Sequence, residues 1–273
     1  MVFEDVAFDY PGANSIPALE GISLQIGEGE FIAVAGLNGS GKSTLCRLIN
    51  ALFLPSQGKV FSCGLDTSLQ HNLAEIRMRV GLIMQNPDNQ IVGPTVEDDV
   101  AFGPENLGLS REEIGRRVDE ALDAMELTAM RGREPHLLSF GERKRLAVAG
   151  VMALNPRIIV SDESTSMLDP PMRAETIKLF QRLRAEMGIT VIHATHRPEE
   201  ILAADRVALL GNGHLLFAGK PEELFENHEM AAEHGLHLPS LYILARELGR
   251  RGYPVPAGAL EAEEVAERLW ASS

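Results

Sequence analysis

The sequence predicts an α/β protein with a parallel-sheet core, an antiparallel β part, an inserted helical subdomain and a helical C-terminal extension. Three observations predict it. Residues 31–35 (FIAVA) are a continuous apolar run, as in a strand buried on both faces, and they pass directly into GLNGSGKST. Residues 158–160 form a second apolar run, which ends in Ser161-Asp162-Glu163. Between them, from about residue 86 to 150, Pro87, Pro94, Pro104 and Pro135 punctuate amphipathic helical stretches, so the pattern changes from sheet to helix.

The remaining elements come in order along the chain. Residues 2–10 alternate apolar and polar side chains, the pattern of a half-buried strand, and residues 22–26 repeat it. Helical periodicity runs over 43–51, behind the glycine-rich loop, and VGLIM at 80–84 reads as another core strand. Residues 111–125 form an amphipathic helix of the insert. The core resumes at 158–160, with a helix over 172–187 and a strand over 190–194. A hairpin joins 207–210 to 214–218 through Gly211-Asn212-Gly213. After Pro221 the chain is helical and acidic, with a Pro/Gly break over 252–258 and an acidic helical face over 261–268. The expected division is a domain over 1–220, with 86–150 inserted, and an extension over 221–273. In the extension Leu241, Ile243, Leu244 and Leu248 give a helix the apolar side chains to pair two copies of the domain.

Composition narrows the function classes. The net charge of -14 argues against a nucleic-acid groove, which shows as a basic face. It leaves room for a local phosphate site built from backbone amides and one Lys. No run of about 18 apolar residues is present, and residues 1–10 lack a signal-peptide pattern. If the protein drives transport, other chains must form the membrane path. Cys46 and Cys63 lack metal-ligand spacing and read as reduced buried thiols, and His228, His234 and His237 read as solvated surface.

Gly36-Leu37-Asn38-Gly39-Ser40-Gly41-Lys42-Ser43 fits G-x4-GK[ST] between a strand and a helix. Gly36, Gly39 and Gly41 let the backbone wrap a phosphate, and the amides through Asn38, Ser40 and Thr44 point at it from a helix N-terminus. Lys42 is placed to span β- and γ-phosphate oxygens, and Ser43 to hold Mg²⁺. Asp162, at a strand end beside this loop, can hold Mg²⁺ through its water shell. Glu163, one residue on, can polarise the attacking water.

Leu138-Ser139-Phe140-Gly141-Glu142 resembles the LSGGQ signature of ATP-binding cassette proteins, and the other motifs of that family occur in its order. The resemblance covers residues 2 to about 220 and implies a P-loop nucleoside-triphosphatase cassette that hydrolyses ATP as one half of a pair. It implies that Tyr10 stacks on adenine and that Gln85 touches Mg²⁺ and the attacking water. It also implies that Ser166-Met167-Leu168-Asp169 crosses to the partner and that His196 contacts the γ-phosphate. Ser139 and Gly141 would close on ATP held by the partner. The sequence departs from the family at Phe140, where Gly is usual, and at Glu142, where Gln is usual.

QNPDNQIVGPTVEDDVAFGPENLGL, DESTSMLDP and LYILARELGRRGYPVP are similar to energy-coupling-factor importers of vitamins and of nickel or cobalt ions. That resemblance implies a second cassette ATPase, either a copy or a paralogue, a transmembrane coupling protein and a substrate-capturing membrane protein. It implies a location on the cytoplasmic face of the membrane. Glu97-Asp98-Asp99 is expected to form an acidic lip on which arginine-bearing helices of the coupling protein dock. Two alternatives remain at this point: a soluble cassette protein of DNA repair or translation, and an ATP-binding partner with little turnover.

Overall fold

A computed structural model describes residues 1–12, 17–166, 168–253, 265–266 and 269–270; Met167 and most of 252–258 and 261–268 lie outside these. The strands in chain order are β1 (Val2–Phe8), β2 (Leu19–Gln25), β3 (Phe31–Ala35), β4 (Gln57–Ser62) and β5 (Leu65–Asp66), followed by β6 (Val80–Ile83), β7 (Ile158–Asp162), β8 (Thr190–Thr195), β9 (Arg206–Gly211) and β10 (His214–Gly219). The helices are α1 (Lys42–Ile49), α2 (Leu73–Arg79), α3 (Val96–Asn106), α4 (Arg111–Ala124) and α5 (Phe140–Met152), then α6 (Pro170–Met187), α7 (Pro198–Leu202), α8 (Pro221–Glu226), α9 (His228–Glu233) and α10 (Ser240–Arg250).

Two sheets result among the described residues. One has the order β2-β1-β4-β5 and is antiparallel. The other has the order β10-β9-β3-β8-β7-β6, with β9, β3, β8, β7 and β6 mutually parallel and β10 closing the edge as an antiparallel hairpin partner.

The central strand β3 shows why its sequence is apolar throughout. Ile32 and Val34 join a core shared with the antiparallel sheet and α1, where Leu45, Leu48 and Ile49 pack. Phe31, Ala33 and Ala35 face the opposite core, with Phe180 of α6 and residues of α3, α4 and α5. With both faces covered, the period-2 alternation is erased. Pairing of Ala35 with Thr195 and of Asp162 with Ala194 aligns the C-terminal ends of β3, β8 and β7. Ile83 pairs with Ser161, which brings the end of β6 to the same edge. Parallel sheets open their ligand crevice at this edge.

The helical stretches that sequence placed at 86–150 are α3, α4 and α5, which pack on one another. The boundary at 220 is different in physical terms. Leu224 and Phe225 of α8, with Ala231 and Leu236, belong to the same core as β3 and α6. The separate C-terminal cluster is built around Ala245 and Val265, with Leu241, Leu248 and Leu269 against it, while Ile243 and Leu244 are exposed.

Candidate active site

The chain leaves β3 through Gly36, whose φ of 149° is open to glycine, and a Cβ there would stand 2.4 Å from the Leu210 carbonyl oxygen. It enters α1 through Gly41, at φ 105°, where a Cβ would lie 2.5 Å from Leu19 Cδ2. Both glycines are therefore fixed by backbone conformation and by close approach. Gly41 caps α1 with no side-chain hydrogen bond, so the amides of the first turn have no side-chain acceptor. The Ser40 hydroxyl is buried without a hydrogen-bond partner. Unsatisfied donors at a helix N-terminus, with a buried hydroxyl beside them, fit a phosphate.

The predicted residues of this edge come together. Lys42 is buried; its Nζ donates to the carbonyls of Gly36 at 2.9 Å and Leu37 at 3.0 Å and pairs with Glu163 Oε1 at 3.1 Å. Ser43 Oγ donates to Asp162 Oδ1 at 2.7 Å. Burial pushes the Asp162 carboxyl up, against the Ser43 hydrogen bond. A hydroxyl and a carboxylate meeting this closely are hard oxygen donors suited to Mg²⁺. Gln85 Nε2 donates to Glu163 Oε2 at 3.3 Å. The Tyr10 hydroxyl is 2.9 Å from Thr44 Oγ1, and its ring stands edge-on to Phe8 and Phe53. Tyr10, Asn38, Gly39, Gly41, Lys42, Ser43, Thr44, Gln85 and Glu163 line one cavity of about 410 Å³. Glu163 itself has φ 49°, a left-handed conformation that is costly for a side chain with a Cβ.

Ser139 and Gly141 do not line this cavity; they form the start of α5. Ser139 N donates to Glu142 Oε2 at 2.6 Å, and Glu142 N donates to Ser139 Oγ at 3.3 Å, a reciprocal capping box. Glu142 thus closes the helix start as Gln would, and these bonds hold its carboxyl below the usual range. At Gly141 a Cβ would stand 2.4 Å from Met172 Cε, so α5 meets α6 closely there and a side chain would displace the tip of Met172. Phe140 lies under two cations, with the Arg143 guanidinium 5.9 Å and Lys144 Nζ 5.6 Å from its ring centroid.

His196 directly follows β8 and is exposed, without a hydrogen bond from its ring to the described residues. Sequence reading missed Lys144, whose buried Nζ donates to the Gln85 carbonyl at 2.5 Å and whose ammonium burial pushes down to about 8. The available signal was helical spacing, which puts Lys144 on one face with Phe140, Ala147 and Val148. It also missed His193 and Glu200, which hydrogen-bond at 2.9 Å within the core. The expected acidic lip is only partly on the surface. Asp99 is buried, and its Oδ1 accepts from the amides of Val92 at 2.7 Å and Gly93 at 2.8 Å, so it shapes the loop and is not available to a partner. Glu97 pairs with Arg131 at 2.9 Å, and Asp98, exposed, takes the Thr95 hydroxyl at 2.6 Å.

The family model described as ABC transporter matches residues 19–166, a span that holds the phosphate loop, the α5 turn and Asp162-Glu163. This chain belongs to the ATP-binding cassette transporter family. It is therefore an ATP-binding ATPase of the P-loop fold. Among its relatives, the energy-coupling factor transporter ATP-binding protein EcfA1 of Symbiobacterium thermophilum is 47% identical over 92% of this chain and 88% of its own length. That of Caldanaerobacter subterraneus is 45% identical over 97% of this chain and 96% of its own. A solved structure of cbiO1 from Clostridium perfringens, part of the ABC transporter complex cbiONQ, superposes with a TM-score of 0.76 at 35% identity, covering 89% of this chain and 97% of that one. A dimeric cassette in a post-hydrolysis state, bound to ADP and Pi, gives 0.74 at 30% identity over 81% of this chain and 98% of that one. No helix among the described residues is long and apolar enough to cross a membrane.

Proposed function

We propose that this cassette is the ATP-hydrolysing subunit of an energy-coupling-factor importer, paired with a second cassette beneath membrane partners. The observation that carries the reading is the meeting of two loops at one sheet edge: Lys42 with Glu163, and Ser43 with Asp162. In this reading ATP occupies the cavity around Lys42, where the amides of Asn38 to Thr44 and the Lys42 ammonium bind the β- and γ-phosphates. Ser43 and Asp162 hold Mg²⁺, with Gln85 beside them. The ion, when bound, neutralises charge on the phosphate oxygens. Glu163 accepts the proton of the attacking water, and His196 meets the γ-phosphate when the pair closes. Tyr10 supports the adenine.

Ser139 and Gly141 then complete the site of the partner ATPase, a second copy or a paralogue. The relatives named for the energy-coupling factor support two further partners: a transmembrane coupling protein and a substrate-capturing protein for a vitamin or a transition-metal ion. The cassette itself would sit on the cytoplasmic face. A cleft lined by Asp88, Pro94, Thr95, Glu134 and Arg143, next to exposed Asp98, supports docking of the coupling protein there.

Purification of the tagged full-length chain from a detergent extract of its own cells tests this reading. Recovery of a second cassette with two integral membrane proteins is expected. Recovery of the chain with soluble proteins alone, and no loss of uptake on its deletion, would contradict it.

A further inference from the structure

Behind the cavity edge lies a group of buried polar side chains that do not line the cavity. Ser161, Ser164, Thr165, His193, Thr195 and Glu200 are each no more than 2% exposed. A carboxylate and an imidazole so deeply placed cost more than apolar residues of the same volume unless they are fully bonded. Glu200 Oε1 has no hydrogen-bond partner among the described residues, so stability alone is a weak reason for them.

The bonds form one connected chain. An ionised carboxylate only accepts, so His193 Nε2 donates to Glu200 Oε2 at 2.9 Å. His193 Nδ1 and Ser161 Oγ share a hydrogen bond at 2.9 Å, and Ser161 Oγ and Ser164 Oγ share another at 2.6 Å. Glu200 Oε2 also takes the hydroxyls of Thr165, at 3.0 Å, and of Thr195. Burial by itself would raise the Glu200 carboxyl; His193, Thr195 and Thr165 together hold it below the usual range.

These residues sit on both sides of the proposed chemistry. Ser161 precedes Asp162-Glu163, and Ser164-Thr165 come directly after it. Thr195 precedes His196, and Arg197 N donates back to Thr195 Oγ1 at 3.1 Å. The Glu163 amide donates to the Ala194 carbonyl at 3.1 Å, which joins the two segments directly. Glu163 keeps its left-handed φ of 49° between these anchors. A strained residue persists only where its surroundings over-determine it. The turn after Glu163 is closed locally by Ser166 N donating to the Glu163 carbonyl at 3.0 Å, while the side chains of Ser161, Ser164 and Thr165 bond into the buried group.

We propose that Glu200 is a positioning residue for ATP hydrolysis: through Thr165, Thr195 and the His193 relay it fixes the left-handed turn that aims Glu163 and ties that turn to the segment carrying His196. The inference rests on the reading of Glu163 as the base. Glu200 touches no nucleotide atom in this scheme and acts only through the turn.

The test uses the ATPase complex purified with the full-length chain, and measures kcat and KM for ATP together with Tm. Glu200→Gln keeps size and one acceptor oxygen but weakens three bonds. It is expected to lower kcat about tenfold with KM within about twofold and with little change in Tm. Glu163→Gln alone is expected to lower kcat at least ~10²-fold. Adding Glu200→Gln to Glu163→Gln is expected to change single-turnover hydrolysis by less than about twofold, because residues that act as a unit are non-additive. Wild-type kcat in Glu200→Gln, or an equal tenfold loss in both backgrounds, overturns the role of Glu200 while leaving Glu163 as the base. Full hydrolysis by Glu163→Gln overturns the base assignment and the role of Glu200 with it.

Discussion

Lys42 Nζ and Glu163 Oε1 form an ion pair at 3.1 Å, with both side chains largely shielded from water. The cation of the phosphate loop is thus shared between the loop carbonyls and the carboxylate that the proposed mechanism uses as a base. In the proposed mechanism a γ-phosphate competes with Glu163 for the same ammonium. Removing the carboxylate charge should therefore leave ATP affinity equal to the wild type or increase it, by up to roughly tenfold if one charge-assisted contact of about 1.5 kcal/mol is freed. Titration of Glu163→Gln with a fluorescent ATP analogue measures this. Weaker binding would show that the pair assists nucleotide entry.

Asp99 offers a separation of charge from hydrogen bonding. Its carboxyl is raised, first by burial, against the amides of Gly93 and Val92. A raised folded-state value means that the group's contribution to stability is complete below the unfolded Asp value and is lost as pH rises through the folded one. At pH 7 the charge is therefore unhelpful, and only the acceptor oxygen is needed. Asp99→Asn should match or exceed wild-type stability at pH 7, and Asp99→Ala should lose about 1–3 kcal/mol through two amides left without a partner. Urea denaturation of both variants decides between them. Equal losses would mean that the charge itself holds the loop.

Lys144 gives the opposite pH signature. Burial lowers its ammonium from the ordinary Lys value to about 8. Between about pH 8 and pH 10 the unfolded chain holds the proton that the folded chain has released, so this group makes the protein more stable as pH rises across that window. Lys144→Met should remove that rise. Denaturation midpoints of wild type and variant at pH 7.5 and 9.5 show whether the two curves converge; parallel curves would place the titration elsewhere.

The C-terminal extension divides within itself. A cut at residue 220 removes Leu224 and Phe225 from the main core, and the loss of one such side chain costs about 2–5 kcal/mol. A chain ending at Leu238 keeps them and loses only α10 and the residues beyond it, with exposed Ile243 and Leu244 among those removed. We expect that chain to fold, to bind ATP and to elute as a monomer without nucleotide. Elution as a dimer would assign the pairing surface to another part of the cassette.

The sequence carried the candidate cavity because its parts are local. A strand that is apolar at every position and ends in glycines or acids reads the same in any context, and parallel pairing then aligns those ends. The inserted helices were legible through periodicity and proline punctuation. Features that depended on distant partners were not. Asp99 looked like its neighbours Glu97 and Asp98, and only the loop that folds back onto it, at Val92 and Gly93, separates a buried acceptor from a surface charge. His193 and Glu200 are seven residues apart across a strand end and a turn, a spacing with no local rule. The strands β4 and β5 and the helix α2 were missed because they are short and owe their shape to neighbours: β4 to β1, β5 to β4 and α2 to β6. At Glu142 the departure from the family pattern was visible, and Ser139 with Glu142 three residues on is a capping-box pattern that the sequence already held and the reciprocal bonds bear out.

The most direct test of the central claim is the steady-state rate of ATP hydrolysis by the purified transporter complex, with wild-type chain and with Glu163→Gln. The account predicts Mg²⁺-dependent hydrolysis by the wild type and a fall of at least ~10²-fold in the variant, the range for a lost general base, with ATP retained in a closed pair. Hydrolysis by Glu163→Gln at the wild-type rate would contradict it.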